Sequence, residues 1–226
     1  MREFLIKICP VAIWCIVAGE TLIAALLFLH AAKKKSKVAL WSGVLTLGLI
    51  LDAAIIGLGS VLTPETLAAV SPARFIAHGL LIPLLFPICG YALNLKKPVM
   101  TVLWIVTVLV MAAGVAQALA TKLVPETIAN LTRMKAGEGT PKWAETISMA
   151  LSFGTVIPMM IVGIIVWIKE KTPHLFLSGL LMFAFSALGP ATGNTDLIFF
   201  ISMFGEILMV LFLYLYARAK AKRRAG

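Results

Sequence analysis

Residues 38–62 read VALWSGVLTLGLILDAAIIGLGSVL, twenty-five positions with a single ionisable side chain, Asp52. An α-helix rises about 1.5 Å per residue, so about 20 apolar residues bridge the hydrocarbon core of a bilayer. A run of this length and polarity reads as a membrane-crossing helix, and a carboxylate inside it requires a partner or a task. Six further apolar runs flank it, at roughly 8–32, 74–95, 98–121, 145–168, 174–190 and 196–217. Each is bounded by charge or by Pro, Gly, Asn and Thr, as helix ends are. The sixth run is short and ends in the helix-breaking string Gly189-Pro190-Ala191-Thr192-Gly193-Asn194. Met1 to Lys7, Ile8 to Ala18 and Val17-Ala18-Gly19 follow the order of a secretory leader, but the apolar stretch continues past Glu20 to Ala32. It reads as a retained first helix.

Composition agrees. The 226 residues are 61% hydrophobic and only 13% charged, with mean hydropathy +1.00. Soluble domains run about half apolar and about a quarter charged. A transmembrane barrel is excluded because its strands alternate in polarity. The expected fold is an all-α integral membrane protein, one seven-helix transmembrane domain over 1–226 with a basic tail at 218–226. The net charge of +10 lies in short clusters between apolar runs, where membrane topology explains it and nucleic acid need not. Cys9, Cys15 and Cys89 fall inside apolar runs without CxxC spacing, so neither a disulfide framework nor a metal site is expected.

Alternate loops hold thirteen Lys and Arg residues, in clusters at 33–37, 96–97, 169–171 and 218–224, against seven on the other side. The positive-inside bias therefore places the C-terminus in the cytoplasm and the N-terminus outside, in the plasma (inner) membrane. On the outer side Thr63-Pro64-Glu65-Thr66-Leu67-Ala68 and Val124-Pro125-Glu126-Thr127-Ile128-Ala129 share a Pro-Glu-Thr core. Proline in a first turn followed by an acid is a helix start, so two short interfacial helices are expected. A shift of 136 residues aligns Lys33 with Lys169, Lys35 with Lys171, Ser42-Gly43 with Ser178-Gly179, Leu45 with Leu181 and Gly57 with Gly193. A shift of 125 aligns Phe75-Ile76 with Phe200-Ile201 and Tyr91-Ala92 with Tyr216-Ala217. These matches suggest a parallel three-plus-one-plus-three repeat, an arrangement found in small transporters.

Few ionisable groups lie within the spans: Glu20, Asp52, His78 with Arg74 one turn outward, and Glu206. Counted from the basic clusters, Glu206, Glu20, Asp52 and His78 lie at depths of about 18, 20, 22 and 27 Å. All four fall in one slab between the midplane and the outer third. Arg74 and His78 are four apart and share a helix face. Gly48, Gly57 and Gly59 thin the second helix for close approach. Pro83 and Pro87 should kink the third, and Pro158 the fifth, whose polar face includes Ser148, Ser152 and Thr155. An outward-opening polar pocket between helices 1, 2, 3 and 7 is expected, with Glu20, Asp52, Arg74, His78 and Glu206 in substrate binding or proton coupling. His30, His174 and most tryptophans read as interfacial anchors.

Seven helices invite comparison with opsins, but no helix carries a mid-membrane lysine for retinal. The seven-helix hydrolases that resemble ceramidases need several deep histidines, and only His78 is deep. An Asp in helix 2 followed by a His in helix 3 is similar to membrane lysoplasmalogenases, whose later Ser-Asp pair is missing here. The residues themselves point to a small-molecule transporter or binding protein. The alternatives are an intramembrane lipid hydrolase using Asp, His and Glu, and a non-catalytic sensor or subunit. No cofactor is expected. Membrane lipid and a small-molecule ligand are the expected partners, with homo-oligomerisation left open.

Overall fold

The computed structural model describes residues 2–128, 131–192 and 195–223. In chain order the elements are α1 (Arg2–Lys34), α2 (Lys37–Leu58), α3 (Pro64–Val70), α4 (Pro72–Leu81), a 3₁₀ turn (Ile82–Leu84), α5 (Leu85–Ala92) and α6 (Lys97–Ala120). A hairpin follows, β1 (Leu123–Ile128) and β2 (Leu131–Ala136), and then α7 (Lys142–Glu170), α8 (His174–Thr192) and α9 (Thr195–Arg223). Six helical stretches are long and apolar enough to cross a membrane, and α8 adds a shorter apolar stretch, His174–Ala187. The chain is a helical membrane bundle.

Hydrogen bonds identify its two ends. At one, Lys220 of α9 donates to the Ala92 carbonyl at 2.6 Å and to Glu170 at 3.0 Å, while the His30 ring lies 3.2 Å from the Ala217 carbonyl. The ends of α1, α5, α7 and α9 meet there, close to the lysine-rich turns. Three non-glycine residues close those turns in the left-handed conformation: Lys35 at φ 49°, Asn94 at φ 54° and Lys171 at φ 51°. After Lys35 the Ser36 N–H reaches back to the Ala31 carbonyl, and after Asn94 the Leu95 N–H reaches Gly90. This is the Schellman pattern, which satisfies carbonyls left over at a helix end.

At the other end the hairpin seals the bundle. Ile128 and Leu131 pack with Ile13, Ile16, Ala53, Ile56 and Met203, and the Thr132 N–H donates to the Gly59 carbonyl at 3.1 Å. A Cβ on Gly59 would run into the Thr132 carbonyl oxygen, so only glycine permits this seam.

The two Pro-Glu-Thr segments diverge. The first forms α3, with the Thr63 hydroxyl accepting from the Thr66 N–H and Pro64 in the first turn. The second is strand β1 where a helix was expected, with Ala129 outside the described residues. Val124, Thr127 and Ile128 are β-branched and suit a strand. Glu126 lies opposite Arg133, which donates to it at 3.0 and 2.8 Å, and Lys135 adds a bond at 2.5 Å. Pro125 is tolerated because both strands of a two-stranded sheet are edges.

The third span is also more broken than a single helix over 74–95. It comprises α3, α4, the 3₁₀ turn containing Pro83, and α5, with Pro87 in the first turn of α5. The helix interruption falls at Pro83, whereas α7 continues through Pro158. α9 extends through the basic stretch to Arg223, and residues 224–226 lie outside the described region. So does Gly193, the second member of the aligned Gly57–Gly193 pair.

Candidate functional site

Asp52 projects from the buried face of α2, alongside Leu49, Ala53 and Ile56, and is 3% exposed. A carboxylate in that position needs compensation from neighbouring elements. Arg74 supplies it from the first turn of α4, donating from Nε to Asp52 Oδ1 at 2.7 Å. One turn along the same face, His78 brings Nδ1 within 3.5 Å of that oxygen. The second arm of Arg74 donates from Nη1 to the Met134 carbonyl at 3.0 Å. Met134 lies opposite Pro125, and its carbonyl, like the Thr132 N–H that bonds Gly59, points away from β1 and is free to accept from the guanidinium. The hairpin therefore orients the arginine that neutralises Asp52.

This cluster forms one wall of a cavity of about 420 Å³. Gln117, Ser148, Ser152, Thr155 and Ser186 supply the remaining polar lining. Ser152 and Thr155 donate to the carbonyls of Ser148 and Leu151, at 3.1 and 2.7 Å, leaving oxygen lone pairs as acceptors. Phe75, Phe153, Phe183, Met149, Met182 and Met209 form the apolar part. Behind His78, α4 and α6 nearly touch at Gly79 and Gly114, where a Cβ on either glycine would lie 2.5 Å from backbone of the other. The cavity suits a small amphipathic molecule with one charged or strongly polar end.

Of the five residues expected to converge, Asp52, Arg74 and His78 line this cavity together. Glu20 and Glu206 do not line it. They are buried on α1 and α9, 0% and 6% exposed, where Gly19 packs against Ile207. Among the described residues, both carboxylate oxygens of Glu20 and Oε2 of Glu206 have no hydrogen-bond partner. Glu20 is nonetheless within electrostatic reach of Asp52, and Glu206 of Asp52, Glu20 and Arg74. The expected pocket between helices 1, 2, 3 and 7 is thereby corrected. The cavity lies among α2, α4, the 3₁₀ turn, α5, α6, α7, α8 and α9, so the second, third and seventh spans border it as expected, while α1 packs against α2 and α9 and α7 and α8 line it instead.

The polar face read on the fifth span, Ser148, Ser152 and Thr155, lines the cavity as one stripe. Gln117 and Ser186 were missed. Gln117 had a signal in the sequence, an amide inside an apolar span four residues before Thr121, to which it donates at 2.9 Å. Among the described residues no group of three His, Cys, Asp or Glu is placed to hold a metal ion. Trp41 and Trp104 meet edge to face at the lysine end, with ring centroids 4.7 Å apart. No protein-family model matches the chain, and no curated protein matches it.

Proposed function

We propose that the protein is a carrier or binding protein for a small amphipathic solute, working by proton exchange at its buried carboxylates. The observation that carries this reading is a charge imbalance. Asp52, Glu20 and Glu206 lie within electrostatic reach of one another, and among the described residues Arg74 is the permanent cation hydrogen-bonded to the group, with Arg133 within electrostatic reach of Asp52, so three acids face two arginines. Negative charge without a counter-ion is expensive at low dielectric, so such a group carries protons or balances a cationic ligand. A solute entering the cavity meets Asp52, Arg74 and His78 directly, with Glu20 and Glu206 behind as the proton reserve. We assign it to the plasma (inner) membrane with the lysine end cytoplasmic, following the basic residue bias. The three-plus-one-plus-three repeat belongs to the same reading. It draws support from Lys35 and Lys171, matched by the 136-residue shift and both left-handed, and from the buried pair Ser42 and Ser178.

The test uses proteoliposomes loaded with a pH-sensitive dye and a panel of small amphipathic cations, anions and zwitterions. At least one solute should drive acidification of the lumen, and Glu20→Leu, which leaves the Asp52–Arg74 pair intact, should abolish it. Absence of solute-linked proton movement across the panel would overturn the carrier.

One observation favours a second reading. With Nδ1 beside Asp52, the His78 ring is partly exposed and lines the cavity, the arrangement in which a carboxylate orients an imidazole as general base. A water activated there would attack a lipid ester. Release of fatty acid from a lysophospholipid, lost in His78→Gln and unaccompanied by proton flux, would select this alternative.

A further inference from the structure

A second concavity, of about 710 Å³, opens at the opposite end of the bundle from the hairpin. Its rim is formed by the α1–α2 turn, the α5–α6 turn and the end of α9. Lys34, Lys35, Lys37, Lys97 and Lys220 line it, and among the described residues no carboxylate does. Lys220 is committed to Glu170 and the Ala92 carbonyl. The other four have no ion pair among the described residues. Lys37 sits over the Tyr91 ring, 5.2 Å from its centroid. The Tyr91 hydroxyl accepts from the Trp104 indole N–H at 3.2 Å, leaving its own proton to donate into the groove. Also on the rim, α6 starts without a side-chain cap, so N–H groups of its first turn add positive potential.

Topological signalling requires only that lysines be near the membrane, not that they surround one concavity with a tyrosine donor. Four unneutralised ammonium groups around one space attract a multiply accepting anion, and phosphate meets that description. Met100 and Trp104 carry the lining onto α6, whose Val99 and Val102 are exposed, as is Leu40 on α2. For helices that cross a bilayer, this places the groove at headgroup level above an acyl-facing surface. We propose that the groove holds the phosphate headgroup of an anionic membrane phospholipid.

Binding is measured on the purified full chain in detergent by tryptophan fluorescence, since Trp104 lines the groove. The probes are dioctanoyl phosphatidylglycerol, dioctanoyl phosphatidylcholine with the same chains, and inorganic phosphate. Phosphatidylglycerol should bind, with phosphatidylcholine and inorganic phosphate far weaker. Combining Lys34→Gln, Lys35→Gln, Lys37→Gln and Lys97→Gln should weaken phosphatidylglycerol by about a hundredfold, at about threefold per lysine once screening has reduced each contribution. Tyr91→Phe, which preserves packing, should weaken it by about threefold and keeps the test decisive if the lysine variant does not fold. Lys122→Gln with Lys142→Gln, remote from the groove, should change nothing. Equal binding of the two lipids, or phosphatidylglycerol binding indifferent to Tyr91→Phe and to the lysines, overturns the proposal. Inorganic phosphate binding as tightly as phosphatidylglycerol also overturns it, by assigning the site to a soluble anion.

Discussion

At Asp52 one carboxylate faces a guanidinium and an imidazole, and Glu20 faces no hydrogen-bonding partner, so the two acids should respond oppositely to substitution. Asp52→Asn leaves Arg74 with the Met134 carbonyl and a neutral amide. Removing one member of a buried pair costs about 3–5 kcal/mol, which should appear as a large drop in melting temperature. Adding Arg74→Gln should recover part of that loss, and a double-mutant cycle with purely additive effects would contradict the pairing. Glu20→Leu substitutes a similar volume for a buried polar group without a partner and should raise stability by about 1–3 kcal/mol while removing solute-linked proton movement. A Glu20→Leu variant that melts lower would mean the carboxylate has a structural role. The trio Asp52, Arg74 and His78 was legible because a four-residue spacing and a common depth are one-dimensional facts. Which of the buried acids reach the cavity was not, since that depends on helix rotation.

Between α2 and the hairpin the apolar packing ends in a backbone-to-backbone contact, and its weak point is Gly59. Gly59→Ala inserts a methyl group where the Thr132 carbonyl sits, so the seam must part. Overpacking of this kind costs about 1–3 kcal/mol, and limited proteolysis should cut the 126–136 hairpin faster than in the parent. The hairpin also has an acid limit. Partial burial works against the Glu126 carboxylate, but the hydrogen bonds and charges of Lys135 and Arg133 together outweigh it and hold its pKa below the usual value. A depressed carboxylate contributes stability above its unfolded pKa, about 4.3, that is lost as pH falls through the folded value. Hairpin protection from hydrogen exchange should therefore decline below about pH 4, and Glu126→Gln should remove that dependence. The apolar spans were legible at this scale because length alone identifies them. The hairpin was not: Pro-Glu begins a helix or occupies an edge strand equally well, and the cross-strand Arg133 and Lys135 decide between them.

Over the whole molecule, charge and structure are segregated. Lysine-rich turns occupy one end, while the other has the hairpin, α3 and the arginine that serves Asp52. Reporters fused after Lys35, after Lys97 and at the C-terminus should all signal cytoplasm, and any one of them on the outer side would contradict the seven-crossing topology. The gathering of lysine-rich turns at one end was legible from the lysine and arginine clusters, whereas the broken third span was not, because two prolines four apart do not reveal which one interrupts the helix. The lysine end has a further consequence for biogenesis. Lys35 and Lys171 occupy left-handed positions where glycine would be more comfortable by about 1 kcal/mol. Glycine there would favour the finished fold but give the insertion machinery less charge with which to retain the turn on its own side. A Lys35→Gly, Lys171→Gly chain should accordingly yield molecules that melt higher once correctly inserted, drawn from a population in which more nascent chains are inserted the wrong way round.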